Sequence, residues 1–161
     1  YDDDRMETIV VDLLRKKGYT LAAAESCTGG YISNLITNVP GASEVFLEGC
    51  VTYSNQAKMA RLGVSRETLS AFGAVSRQTA QEMAEGIRQS SHADIGISVT
   101  GIAGPGGGSV QKPVGLVYMA VSDKNGTEAR EFHLTGDRMR IKNGSALRLL
   151  DWLRLYLMES D

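Results

Sequence analysis

Thr20-Leu-Ala-Ala-Ala-Glu-Ser-Cys-Thr-Gly-Gly30 is the stretch on which the fold turns. Residues 20–24 form a short, mostly apolar run, which reads as a buried strand. From residue 29 to 39 the apolar side chains Ile32, Leu35 and Ile36 share one helical face, and Pro40-Gly41 breaks the run. The chain therefore passes from a strand, through a glycine turn, into a helix.

The same alternation continues outward. Upstream, Met6, Ile9, Val10, Leu13 and Leu14 repeat at helical spacing, and Gly18 stops that helix. Downstream, residues 50–53 read as a second strand, followed by a short helix carrying Lys58 and Leu62. Residues 65–72 form another short helix, ended by Gly73. Ser76 caps a longer one with a stripe of Ala80, Met83, Ala84 and Ile87. Residues 94–100 alternate Ile95, Ile97 and Val99 as a strand. Residues 114–122 and 127–133 flank Asp123-Lys-Asn-Gly126, whose Asn-Gly pair signals a hairpin. Asp137 caps a last long helix, with Ile141, Leu147, Leu150 and Leu153 on its apolar side. Strands separated by helices predict an α/β fold with a mainly parallel sheet covered on both faces. The late hairpin makes that sheet mixed. Ligands of such sheets gather at the carboxyl ends of strands.

The bulk properties fit one soluble domain over residues 1–161. Of 161 residues, 42% are hydrophobic and 22% charged, which excludes a disordered chain. A net charge of -2 offers no broad basic face, so neither nucleic acid nor a membrane is an expected partner. No apolar run reaches the length of a membrane span, and the acidic start shows no signal peptide. Two cysteines make no disulfide framework, so a cytoplasmic location is expected. The first residue is not Met; residues 1–5 are expected to be disordered or appended ahead of Met6, unless the chain is a piece of a longer protein.

Three segments that follow strands carry the candidate chemistry. Glu25-Ser-Cys-Thr-Gly-Gly30 places backbone N–H groups near a helix start, where they can hold an anion or a developing oxyanion. Ser26 is then a candidate nucleophile, although Ser and Thr here can equally be helix caps. Cys27 is a rival, since a thiolate is intrinsically the stronger nucleophile. A serine needs a base. His92 falls at a helix end and His133 in a strand, so a Ser-His-Asp triad is poorly supported. Val51-Thr-Tyr-Ser-Asn-Gln-Ala-Lys58 offers Tyr53 and Lys58 instead. A Ser–Lys pair works if burial or nearby positive charge brings the lysine from about 10.4 towards about 7–8. Otherwise Lys58 is a solvated helix lysine.

The third segment, Thr100-Gly-Ile-Ala-Gly-Pro-Gly-Gly-Gly-Ser109, holds five of the 18 glycines. It can expose several N–H groups to a phosphate or carboxylate, or serve simply as a flexible connection. It matches neither the Walker A loop nor the dinucleotide fingerprint. Arg138, near a helix start, can pair with a phosphate; Arg140 and Lys142 are nearby substitutes. The two histidines and two cysteines show no metal-ligand spacing.

Five segments taken in order carry a resemblance. They are residues 24–30, 49–58, Gly73-Ala-Val-Ser76, residues 100–109 and Lys112-Pro-Val-Gly115. Together they resemble the CinA C-terminal domain family, whose members include nicotinamide-nucleotide amidases. The likeness runs from about Met6 to Leu157. It implies a three-layer α/β/α sandwich with a mixed, mainly parallel sheet of about five to six strands. It implies hydrolysis of the carboxamide of nicotinamide mononucleotide to nicotinate mononucleotide and ammonia, a step of NAD salvage. Ser26 would be the nucleophile, Lys58 its base, and Tyr53 a proton carrier or orienter. The substrate would be held by Thr28, Gly29, Gly30, Asn55, Thr100, Gly101, Ala103, Gly104, Gly107 and Arg138. The resemblance implies no cofactor and a homodimer. Many members carry a further N-terminal domain resembling molybdopterin-binding proteins, whose activities do not transfer to this chain. A catalytically silent nucleotide-binding module, or an amidase for another small amide, are the competing readings.

Overall fold

The structure, a computed structural model, describes residues 5–160. Residues 1–4 of the segment expected to be disordered or appended lie outside the described residues. Arg5 is extended and leads into the first helix, its carbonyl accepting from the N–H groups of Thr8 and Ile9.

Twelve-residue α1 (Met6–Lys17) ends at Gly18, whose left-handed φ of 71° is the conformation that a helix C-terminus favours in glycine. Then follow β1 (Leu21–Glu25), α2 (Tyr31–Thr37), β2 (Phe46–Val51), α3 (Asn55–Leu62), α4 (Arg66–Phe72) and α5 (Arg77–Ser91). The chain closes with β3 (Ile95–Gly101), β4 (Leu116–Asp123), β5 (Gly126–His133) and α6 (Arg138–Glu159). Ser54, Ser65, Ser76 and Asp137 each accept a backbone N–H at the start of the next helix.

The five strands make one mixed sheet in the order β2-β1-β3-β4-β5. β1 runs parallel to β2 and β3, while β4 is antiparallel to both β3 and β5. Parallel and antiparallel ladders are thus two each, because the return after β3 is a loop rather than a crossover helix. Alternation along the strands sends side chains to opposite faces. Leu21, Ala23, Ile97, Val99 and Met119 pack with α1, α2 and α6. Ala22 and Ala24 pack with Leu62, Met83 and Ile87 from α3 and α5. The result is three layers, α/β/α.

Two expectations shift. The second strand lies at residues 46–51, not 50–53. It is an edge strand with Leu47, Glu48, Gly49 and Val51 exposed, so it carries no apolar alternation to mark it. On α6, Leu147 is exposed, and Ala146, Leu149, Trp152 and Leu157 complete the buried stripe with Leu150 and Leu153. No helix of the described residues is long and apolar enough to cross a membrane.

Candidate active site

β1 delivers the chain to α2 on one face, and β2 delivers it to α3 on the other, so the loops after these parallel neighbours part. The crevice between them opens at the carboxyl ends of the strands, where open α/β sheets bind ligands. Ser26 sits at its floor, the first residue beyond β1, with its N–H donating to the Val99 carbonyl at 3.0 Å.

Glu25 fixes the turn that follows. Its fully buried carboxylate accepts from Thr28 Oγ1 at 2.6 Å, Ile32 N at 2.9 Å, Ser33 N at 2.8 Å and Ser33 Oγ at 2.7 Å. Two of these donors are backbone groups in the first turn of α2, which helix geometry leaves without partners inside the helix. Four bonds on one carboxylate hold β1, the glycine turn and α2 as one unit. Gly29 and Gly30 take φ of 61° and 99°, which lets the chain reverse tightly beside Ser26.

Lys58 comes from α3. Its side chain is 1% exposed, and Nζ donates to Ser26 Oγ at 3.0 Å, the Thr52 carbonyl at 2.7 Å and the Tyr53 carbonyl at 3.4 Å. No carboxylate pairs with it among the described residues. Burial without a counter-charge pushes the ammonium below its ordinary value. Close packing sets the position of α3. A Cβ on Gly86 of α5 would lie 1.9 Å from the Leu62 carbonyl, so the two helices approach only because residue 86 has no side chain.

Cys27 points into the core with α2 and α6 and is 5% exposed. Burial, the largest cause, pushes its thiol up to about 12. A thiol so hard to ionise is a poor nucleophile.

The cleft over this pair is about 170 Å³, lined by Ser26, Cys27, Tyr53, Lys58, Ala74, Val75, Thr100, Gly101, Ala103 and Arg138. Arg138, at the start of α6, donates to the Gly104 carbonyl at 2.7 Å and to Tyr53 Oη at 3.1 Å, strapping the glycine loop to the mouth of the cleft. Tyr53 is 64% exposed, and this hydroxyl bond goes to Arg138 rather than to Ser26 or Lys58. In this geometry Arg138 holds the Tyr53 hydroxyl at the rim of the cleft that Ser26 and Lys58 line.

The remaining sequence candidates divide by place. Gly101 and Ala103 line the cleft; a Cβ on Gly101 would meet Val117 Cγ2 at 2.7 Å. Thr100 lines it too, but its hydroxyl donates to the Ala74 carbonyl at 2.9 Å and ties β3 to the α4–α5 loop. Thr28 is turned inward onto Glu25. Gly29 and Gly30 shape the turn. Asn55 and Gly107 are exposed and outside the cleft lining, and Gly104 enters through its carbonyl on Arg138. His92 caps α5 and His133 pairs with Glu131 on the edge strand; neither lines the cleft. Among the described residues no cluster of His, Cys, Asp or Glu could hold a metal ion.

Sequence reading missed the part played by Glu25 and by the Thr52 and Tyr53 carbonyls. The carbonyls leave no trace in side-chain identity. Glu25 leaves one: an acidic residue at the end of an otherwise apolar strand, just before a helix.

The profile of the family described as "CinA C-terminal domain" matches residues 3–157. The chain is 53% identical over 156 residues to a CinA-like protein of Kosmotoga olearia, an alignment taking in 97% of this chain and 38% of the relative. It spans about 38% of the length of the curated relatives it matches. A crystal structure of a competence/damage inducible protein from Agrobacterium tumefaciens superposes with a TM-score of 0.91 at 42% identity, covering 96% of each chain. The competence damage-inducible protein A of Klebsiella pneumoniae gives 0.94 at 33% identity, covering 97% of each.

Proposed function

The chain belongs to the CinA C-terminal domain family, and from that premise we propose that it is an amidase that hydrolyses nicotinamide mononucleotide to nicotinate mononucleotide and ammonia through Ser26 and Lys58. The observation that carries this reading is the buried 3.0 Å contact between Lys58 Nζ and Ser26 Oγ, with no carboxylate on the lysine. A neutral amine has two N–H groups and one lone pair. The Thr52 and Tyr53 carbonyls take the two N–H groups, which turns the lone pair onto the Ser26 hydroxyl.

The steps follow from that arrangement. Ser26 Oγ attacks the amide carbon and gives its proton to Lys58 Nζ. The carbonyl oxygen becomes an oxyanion, which backbone N–H groups of the glycine turn stabilise. The intermediate collapses, the C–N bond breaks, and Lys58 returns the proton to the leaving nitrogen as ammonia. Water then attacks the Ser26 ester, again losing a proton to Lys58, and the acid leaves as Ser26 Oγ recovers its proton. Cys27 takes no part, because its thiol stays protonated.

The test is ammonia release from nicotinamide mononucleotide by wild type and Lys58→Ala together. Release by wild type and loss in the variant is expected. Binding of the nucleotide without release by wild type would favour a silent nucleotide-binding module.

A further inference from the structure

Lys142 lies on α6 one helical turn beyond Arg138, so both project from the same helix face. It is half-buried, and it sits against the glycine turn: a Cβ on Gly29 would lie 3.7 Å from Lys142 Nζ. Its charge also reaches the Cys27 thiol at the base of that turn. Yet among the described residues Lys142 makes no salt bridge, and its Nζ donates no hydrogen bond. No carboxylate or carbonyl among the described residues takes up this ammonium, which leaves it able to pair with an anion from solution. Its neighbours differ. Arg138 spends its guanidinium on the Gly104 carbonyl and Tyr53 Oη, and Arg140 is exposed with its stem over Gly136.

We infer that Lys142, rather than Arg138, is the cation that anchors the phosphomonoester of the substrate, against the Gly29–Gly30 turn. The inference rests on the amidase reading for the identity of the substrate. Chemistry at Ser26 and charge recognition at Lys142 then sit on the two ends of one four-residue turn. Glycine at 29 leaves the space between ammonium and backbone free of a side chain. Arg138 keeps its separate task, holding the glycine loop to Tyr53.

The experiment compares two substrates that differ by the phosphate alone, nicotinamide mononucleotide and nicotinamide riboside. Ammonia release is measured for wild type, Lys142→Met, Lys142→Arg and Arg140→Met. Lys142→Met is expected to raise KM for the mononucleotide about tenfold to a hundredfold, the loss of one charged hydrogen bond. Its kcat, and its KM for the riboside, stay within about twofold of wild type. Lys142→Arg recovers most of the loss, and Arg140→Met shows none. Equal rises on both substrates, or no rise on the mononucleotide, overturn the assignment. Lys142→Gln carries the same expectation should Lys142→Met fail to fold. If wild type releases ammonia from neither compound, the amidase reading fails by itself. Calorimetric binding of nicotinamide mononucleotide then decides: weaker binding to Lys142→Met supports the assignment, and equal or absent binding overturns it.

Discussion

Two cavities lie at opposite ends of the sheet, and the smaller one holds the buried amine. About 720 Å³ opens at the amino ends of β1 and β3, bordered by Tyr19, Asp94, Asp123 and Tyr156 among others. Three of the charged groups on its border are tied into the fold. Asp94 accepts from Thr20 N at 2.8 Å and Thr20 Oγ1 at 3.1 Å; Asp123 accepts from Asn125 N at 2.7 Å and from Tyr156 Oη; Arg88 donates to Ser122 Oγ at 2.9 Å. The cleft at the carboxyl ends is about 170 Å³ and holds a buried amine against a hydroxyl. The proposed function follows not from volume but from a titratable group denied both water and a counter-charge.

The largest expected effect is at Lys58. Lys58→Met keeps the side-chain length and removes the nitrogen. Turnover should fall by a factor of about 10² to 10⁴, the usual worth of a general base. Folding stability should hold or rise, since an apolar isostere replaces a buried amine. The pH dependence has a definite sign. Lys58 is lowered from 10.5 in the folded protein, so between its folded value and 10.5 the unfolded chain carries a proton the folded one lacks. Stability gains with rising pH across that window, and kcat/KM climbs as Lys58 loses its proton. Denaturant titrations across the alkaline range should show the slope in wild type and its loss in Lys58→Met. A cleft that loses stability but not turnover in this variant would erase the contrast with the opposite cavity.

Glu25 sharpens the contrast from the structural side. Glu25→Gln replaces one accepting oxygen by an amide nitrogen, which cannot accept from the donors that face it. A stability loss of about 2–4 kcal/mol is expected for the broken bonds. Turnover should fall about tenfold as the Ser26 turn loosens. Thermal unfolding and ammonia release on the same preparation check both. The smallest effect belongs to the large cavity. Tyr156→Phe removes the Asp123 bond and should cost about 1 kcal/mol, with turnover unchanged. Lost turnover there would tie the far cavity to catalysis.

Element order was legible because the signals were local: glycine stops, Ser and Asp caps, and the alternation of Ile95, Ile97 and Val99. The edge strand β2 was misplaced because exposure on its outer side removes the pattern that marks a strand. Ser26 and Lys58 could be named from residue type and from their places after strands, and the fold brings them to 3.0 Å. The bond from Arg138 to Tyr53 could not be read, since it joins residues 85 apart in sequence across a loop. The inward turn of Thr28 was hidden for a related reason: a hydroxyl three residues from a carboxylate is free to face either side until packing decides.

The central claim is that Ser26, not its neighbour Cys27, attacks the amide. Ammonia release from nicotinamide mononucleotide by Ser26→Ala and Cys27→Ala, each verified as folded, tests it directly. Ser26→Ala should remove nearly all turnover while Cys27→Ala keeps most of it. An active Ser26→Ala beside an inactive Cys27→Ala would contradict the account.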